Sequence, residues 1–208
     1  MRSHKVILGH TPWLDVAAED WQQVNPDLQL HRVEIVLDRH YAFAIPQLAD
    51  LDPAVTTAFV AWGPEFLNFQ RLELMNEFKK RGFKMPPLLH PQALISSSAT
   101  VQENSWVQAQ AVIGPNVTIG LNVHVGFSTR VGAHSLVGKH VWLGHDVRIG
   151  GGARVDSHAV IGDNVVVGDG IRIGRQALIE TAGLISIDWP DRAFRLRHSG
   201  LEGNIIEL

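Results

Sequence analysis

Five of the eleven histidines fall between residues 124 and 158: His124, His134, His140, His145 and His158. Histidine has an ordinary pKa of about 6.5, so near neutrality it can remove a proton from an amine or a hydroxyl. A nucleophile freed in this way attacks a carbonyl, and the oxyanion that forms needs an N–H donor beside it. His145 is followed directly by Asp146, a histidine–acid pair. His140 and His158 stand eighteen residues apart. In a chain that repeats at that interval they stack on one face, below Asn122 and Asn104.

The elements that must position these groups are written in a strict period. From Ile95 to Ile185 every sixth residue is Ile, Val or Leu, through fifteen successive hexads. A fixed repeat of this kind marks a solenoid, in which each unit buries its apolar residue by stacking on the next. Four places after each aliphatic the residue is mostly small or β-branched, as at Ala111, Val123, Val141 and Ala153, and both sets are expected inside. Glycine follows the aliphatic in ten of the fifteen hexads, which predicts a positive-φ corner at that place. Three sides of six residues close a coil of eighteen, so the hexads predict five coils with strands about 4.8 Å apart. The pattern stops after Ile185, leaving residues 188–208 as a tail with Trp189, Pro190 and the basic group Arg192, Arg195, Arg197 and His198.

Residues 1–88 read as a small α/β unit. Expected strands are 5–9, 32–38 and 56–62, with a helix over 13–23. Phe66, Phe69, Leu72, Met75 and Phe78 follow helical spacing, and Lys79, Lys80 and Arg81 lie at the favourable end before Gly82. Strands alternating with helices predict a parallel sheet. Met85-Pro86-Pro87-Leu88 is a stiff linker. A net charge of −3 gives no basic field for nucleic acid. The absence of cysteine excludes disulfides and thiolate metal sites and fits a reducing cytoplasm. No apolar run is long enough for a signal peptide or a membrane span.

The chain resembles the sugar O- and N-acetyltransferases typified by sialic acid O-acetyltransferase and bacillosamine N-acetyltransferase. The resemblance is carried by the repeats and by the hinge, Phe78-Lys79-Lys80-Arg81-Gly82-Phe83-Lys84 and Leu89-His90-Pro91-Gln92-Ala93-Leu94-Ile95-Ser96. It implies a left-handed parallel β-helix over residues 89–187, behind a small Rossmann-like α/β domain over 1–88. It also implies a homotrimer that takes acetyl-CoA as acyl donor and a sugar or nucleotide-linked amino sugar as acceptor.

Counting hexads from the hinge places the family's catalytic hexad at Val131-Gly132-Ala133-His134-Ser135-Leu136. The family's histidine position holds Ala133, and the acidic position after it holds His134. His134 is thus the candidate base. Gly151, eighteen residues beyond Ala133, matches the glycine whose N–H faces the acyl carbonyl. Trp142 stands where the family has a second histidine along the coenzyme. His145, with Asp146, keeps the family's histidine–acid order two hexads late and is the rival base. The first βα turn, Gly9-His10-Thr11-Pro12-Trp13, retains only Gly9 of a glycine-rich phosphate turn. Asp38 occupies the place of the acidic residue after the second strand. Gly9 and Asp38 are accordingly the candidate acceptor-binding residues.

Two other readings stay open. One is a catalytically degenerate trimer that binds or assembles on the same scaffold, with the α/β unit kept for packing. The other is a metal-dependent protein similar to the γ-class carbonic anhydrases, which share His140 and His145 spacing. That class needs a third histidine two coils upstream, where Asn104 and its neighbours offer none, so no metal site is expected.

Overall fold

The computed structural model describes residues 4–36 and 51–196, and the backbone of 202–204. The chain opens with β1 (His4–Gly9), α1 (Trp13–Val24), β2 (Gln29–Glu34), β3 (Thr56–Ala61) and α2 (Phe69–Lys80). The strands form a parallel sheet in the order β2-β1-β3. Alternation along β1 sends Val6 and Leu8 to a core shared with Leu74, Met75 and Phe78 of α2. Ile7 joins Leu14, Ala17, Ala18 and Trp21 of α1, whose spacing makes one apolar stripe.

Two elements differ from expectation. β2 begins three residues earlier than residue 32 because it pairs in register with β1, His4 opposite Gln29 through Gly9 opposite Glu34. α2 begins at Phe69, and Phe66, Leu67 and Asn68 before it all have positive φ. Its buried face is Arg71, Leu74, Met75 and Phe78, while Phe66 and Phe69 are exposed.

From Leu88 onward strands of two or three residues wind into a parallel β-solenoid of about six turns. Among the described residues its three faces hold eight, six and five strands. The first face stacks Leu88–Leu89, Trp106–Val107, His124–Val125, Trp142–Leu143, Val160–Ile161 and Leu178–Ile179. The second includes Arg130–Val131 and Arg148–Ile149, and the third Leu136–Val137 and Arg154–Val155. The sixth-residue aliphatics and the residues four places later fill one continuous core.

The corners are not where the glycines predicted. Positive φ falls two residues beyond the glycine position, at Asn104, Gln110, Asn116, Asn122, Ser128, His134, His140, Asp146 and His158. Asn, Asp and His are the side-chain-bearing residues that best tolerate this conformation. The glycines serve close approach instead: a Cβ on Gly126 would lie 2.4 Å from the Gly144 carbonyl oxygen of the next coil.

The winding also continues past Ile185. Trp189 bridges to Ile173, and Ala193–Arg195 adds to the first face on Leu178–Ile179 before pairing antiparallel with Glu202–Asn204. Trp189 and Ala193 belong to the solenoid core. A tryptophan only four residues after Ile185 ends the hexad spacing while still filling the prism.

Candidate active site

The corner between the second and third faces carries the hexad-count site. His134 is exposed, and its backbone N–H donates to the Pro115 carbonyl at 2.9 Å. One coil on, Gly152 N–H donates to the Ala133 carbonyl at 2.8 Å, so Ala133 and Gly151 are vertical neighbours. A Cβ on Gly132 would meet the Gly151 nitrogen at 2.6 Å. By contrast, a Cβ on Gly151 would touch only the Ala133 oxygen at 3.6 Å and Asp169 Oδ1 at 3.9 Å, and one on Gly152 would meet nothing within 4 Å. Gly151 and Gly152 therefore leave open space beside the His134 corner, whereas a Cβ on Gly150 would lie 2.6 Å from Asp169 Oδ1. The Gly151 N–H is engaged: it donates to Asp169 Oδ1 at 2.7 Å. An oxyanion can take this donor only once the carboxylate has swung aside.

His145 lies on a different corner, between the first and second faces. Its Nδ1 accepts from the Phe127 N–H at 3.1 Å, and its own N–H donates to Asp163 Oδ1 at 2.8 Å. That hydrogen bond puts the ring proton of the neutral form on Nε2, which leaves no free lone pair for a base. The structure thus does not bring His134 and His145 together.

Trp142 sits on the first face, opposite the His134 corner, and is 6% exposed. Its ring packs edge-on against Trp13 at 4.8 Å and against His124 at 3.8 Å, with the Arg71 guanidinium 5.5 Å away. It is thereby built into the seam between the α/β unit and the solenoid, and is not gathered with Ala133, His134 and Gly151. Gly9 ends β1 where a Cβ would be 2.0 Å from the Ala61 oxygen, and its carbonyl accepts from Ile35 N–H at 2.7 Å. The neighbouring His10 ring packs on Trp62 at 4.4 Å. Asp38 lies outside the described residues, as do Arg197 and His198.

The ladder predicted from eighteen-residue spacing exists, but it joins parts of one chain. Asn104 Oδ1 accepts from Val60 N–H of β3 at 2.8 Å, and Asn104 Nδ2 donates to Asn122 Oδ1 at 2.6 Å. Asn122 Nδ2 lies 3.0 Å from His140 Nδ1 and donates to it. His140 is tilted 4.9 Å from the His158 ring, whose Nδ1 donates to the Leu67 carbonyl at 2.9 Å. His158 also stacks on Phe69 at 4.3 Å. Burial, with His158, Arg71 and Lys139 nearby, lowers the His140 pKa to about 4. His140 is therefore neutral at pH 7, which its acceptor role requires.

A second docking point was not visible in the sequence. Trp106 Nε1 donates to Asp20 Oδ2 of α1 at 2.8 Å, and His90 Nε2 is 3.9 Å from the other Asp20 oxygen. Burial raises the Asp20 pKa, against the opposing pull of Trp106 and His90. Arg71 and His124, both fully buried in the same seam, were also not singled out for a shared site. Arg71 reads in sequence as a helix-surface charge, and only docking of α2 buries it.

Among solved structures, a histidine-to-alanine variant of GDP-perosamine N-acetyltransferase from Caulobacter crescentus, in complex with CoA and GDP-perosamine, superimposes with a TM-score of 0.82. It is 22% identical, and the match covers 97% of each chain. The acetyltransferase domain of PglB from Neisseria gonorrhoeae, in complex with acetyl coenzyme A, is 24% identical with a TM-score of 0.61, over 93% of this chain and 96% of that one. WeeI from Acinetobacter baumannii is 15% identical with a TM-score of 0.76, over 96% and 99%. The chain has the fold of these proteins. No protein-family model matches it, and no curated protein sequence does. Among the described residues no helix is long and apolar enough to cross a membrane, and no group of three or more His, Cys, Asp or Glu is placed to hold a metal ion.

Proposed function

We propose that the chain is an acetyl-CoA-dependent N- or O-acetyltransferase acting on a sugar or nucleotide-linked amino sugar, a member of the hexapeptide-repeat sugar acyltransferases. The observation that carries this is a match over 97% of both chains to a transferase crystallised with CoA and a nucleotide-linked amino sugar. The left-handed sense of the helix, a Rossmann-like character for the α/β unit, a homotrimer and a cytoplasmic location belong to the same reading.

In this reading His134 takes the proton of the acceptor amine or hydroxyl as it attacks the thioester carbonyl. The open backbone at Gly151 and Gly152 lets the thioester approach. Gly151 N–H then donates to the oxyanion, after Asp169 has moved off it. Collapse of the tetrahedral species breaks the carbon–sulfur bond, and the proton on His134 goes to the leaving thiolate.

A second reading has support of its own. Ala133 replaces the expected histidine, and the Gly151 N–H is already satisfied by Asp169. Both fit a scaffold that binds or assembles without catalysis. The test is release of free thiol from acetyl-CoA with a panel of amino-sugar nucleotides, using the wild type, His134→Ala and His145→Ala. The acyltransferase reading expects turnover that His134→Ala reduces about 100-fold and His145→Ala leaves in place. Equal rates in wild type and His134→Ala remove His134 as the base. No turnover with any acceptor favours the assembly reading.

A further inference from the structure

The N-terminal edge of the small sheet carries charge where its pattern calls for an apolar side chain. Parallel neighbours in register point to one side, so Leu30, Lys5, Thr57 and Lys84 form a row across β2, β1, β3 and the segment after α2. The next row on that side holds Ile7 and Phe59, both fully buried against α1. Lys5 is only 2% exposed. Its Nζ donates to Thr57 Oγ1 at 2.8 Å and lies 3.7 Å over the Trp21 ring of α1. Among the described residues no carboxylate pairs with it, and burial lowers its pKa to about 7. Trp21 Nε1–H is also buried without a hydrogen-bond partner among the described residues. Buried charges in folded proteins are paired, because an unpaired one is strongly destabilising.

A cavity of about 530 Å³ opens beside this row. Its polar lining is Lys5, Thr57 and Lys84, and its apolar lining is Trp21, Val24, Leu28 and Pro86. Val24, at the end of α1, is 40% exposed, and Lys84 is exposed too. The solenoid contributes Glu103, whose carboxylate is already paired with Lys79 at 2.7 Å. Lys5 and Thr57 lie at the start of β1 and β3, whereas Gly9 and the first βα turn lie at the other end of β1. The cavity is therefore separate from the carboxyl-end crevice of the sheet, where such folds hold nucleotides, and from the Gly151 corner.

We propose that this cavity binds a small carboxylic acid with an apolar body, its carboxylate held by Lys5. One oxygen accepts from Lys5 Nζ, which Thr57 and the Trp21 ring hold in place. The unpartnered Trp21 N–H and the Lys84 ammonium are the further donors. The hydrocarbon part lies on Val24, Leu28 and Pro86. One buried cation matches one negative charge, and the apolar wall offers nothing to the hydroxyl groups of a sugar. The volume lies within the range of small-molecule sites. The proposal stands apart from the acyl-transfer reading.

The test is titration calorimetry and thermal unfolding of the full chain without acyl-CoA, using 3-phenylpropionate, its neutral counterpart 3-phenylpropan-1-ol, and acetate as probes. The expected result is binding and a raised Tm with 3-phenylpropionate, weaker binding of acetate and none of the alcohol. Lys5→Met is expected to weaken binding of 3-phenylpropionate about 10- to 100-fold. It is also expected to leave the unliganded Tm equal to or above that of wild type, since an unpaired buried charge has gone. A purely structural lysine would instead lower that Tm and leave Kd unchanged. A pH series on the wild type decides the matter even if the variant does not fold. Binding that needs the Lys5 ammonium weakens as that group loses its proton, so Kd should rise about 30-fold between about pH 6 and about pH 8.5. The other charged groups at the cavity are Lys84 and the Glu103–Lys79 pair, and ordinary lysines and carboxylates keep their charge across that window. Asp20, beside Trp21 on α1, is bonded to Trp106, and Leu30 faces Lys5 from β2. No binding of 3-phenylpropionate, equally tight binding of the alcohol, a Kd that does not change with pH, or an unchanged Kd in Lys5→Met overturns the proposal. Because no measurement uses acyl-CoA, that failure leaves the acyl-transfer reading intact.

Discussion

Acid should loosen the α/β unit from the solenoid through His140. In the folded chain its Nδ1 accepts from Asn122 Nδ2, and His158, Arg71 and Lys139 all face it with positive or potentially positive charge. Its pKa falls from an ordinary 6.5 to about 4, chiefly because it is buried. The unfolded chain therefore binds a proton that the folded chain refuses. Stability is complete above about pH 6.5 and is lost progressively down to the folded value near 4. A displacement of that size corresponds to roughly 3 kcal/mol at full burial, and partial access of the ring to solvent brings this to about 2 kcal/mol. His140→Asn is the informative variant. Asparagine tolerates the positive φ at this corner, prolongs the Asn104–Asn122 ladder and does not titrate. Urea unfolding at about pH 7.5 and about pH 4.5 should show the variant losing about 2 kcal/mol less than wild type between the two conditions. Identical losses in both proteins would refute the reasoning, because His124 and His158 keep their own contributions in each.

Four further outcomes follow from single contacts. Trp106→Phe removes the Nε1–H bond to Asp20 and leaves a buried carboxyl without its donor, so urea unfolding should show a loss of about 1–3 kcal/mol. Gly126→Ala places a Cβ 2.4 Å from the Gly144 oxygen and should cost about 1–3 kcal/mol. Gly152→Asn occupies an open positive-φ corner and should change stability by less than about 0.5 kcal/mol, measured the same way. Asp169→Ala frees the Gly151 N–H; if that group is the oxyanion donor, kcat for thiol release rises about tenfold or more. An unchanged kcat takes Gly151 out of the reaction.

The solenoid could be read from sequence because its physics is local. One aliphatic per six residues fixes what stacks, and Val125, Leu143 and Ile161 are where the period puts them. The role of glycine was misread because the sequence does not separate a positive φ from a close approach, and Gly126 needs the second. The expected stripe on α2 failed for a tertiary reason. Phe66 and Phe69 look like core, but docking onto the first face buries Arg71 and leaves both rings exposed. The eighteen-residue spacing predicts the stacking of His140 under Asn122 and Asn104, which the structure has, but the neighbours of that ladder and of Trp142 come from the α/β unit, at long separations in sequence. His134 itself is explained by geometry first, since it occupies the positive-φ place of its hexad, which Asn116 fills one coil earlier on the same corner and Asn122, His140 and His158 fill on a different corner.

The far end of the prism has a bearing on solubility. A stack of identical parallel rungs is an unfinished surface, open to growth by any similar strand. Here Ala193–Arg195 runs parallel to the rung below it, and Glu202–Asn204 then turns back antiparallel along its outer edge. A second molecule arriving end to end meets a reversed strand and a tryptophan-filled lumen, so head-to-tail fibres are blocked by the same few residues that end the repeat.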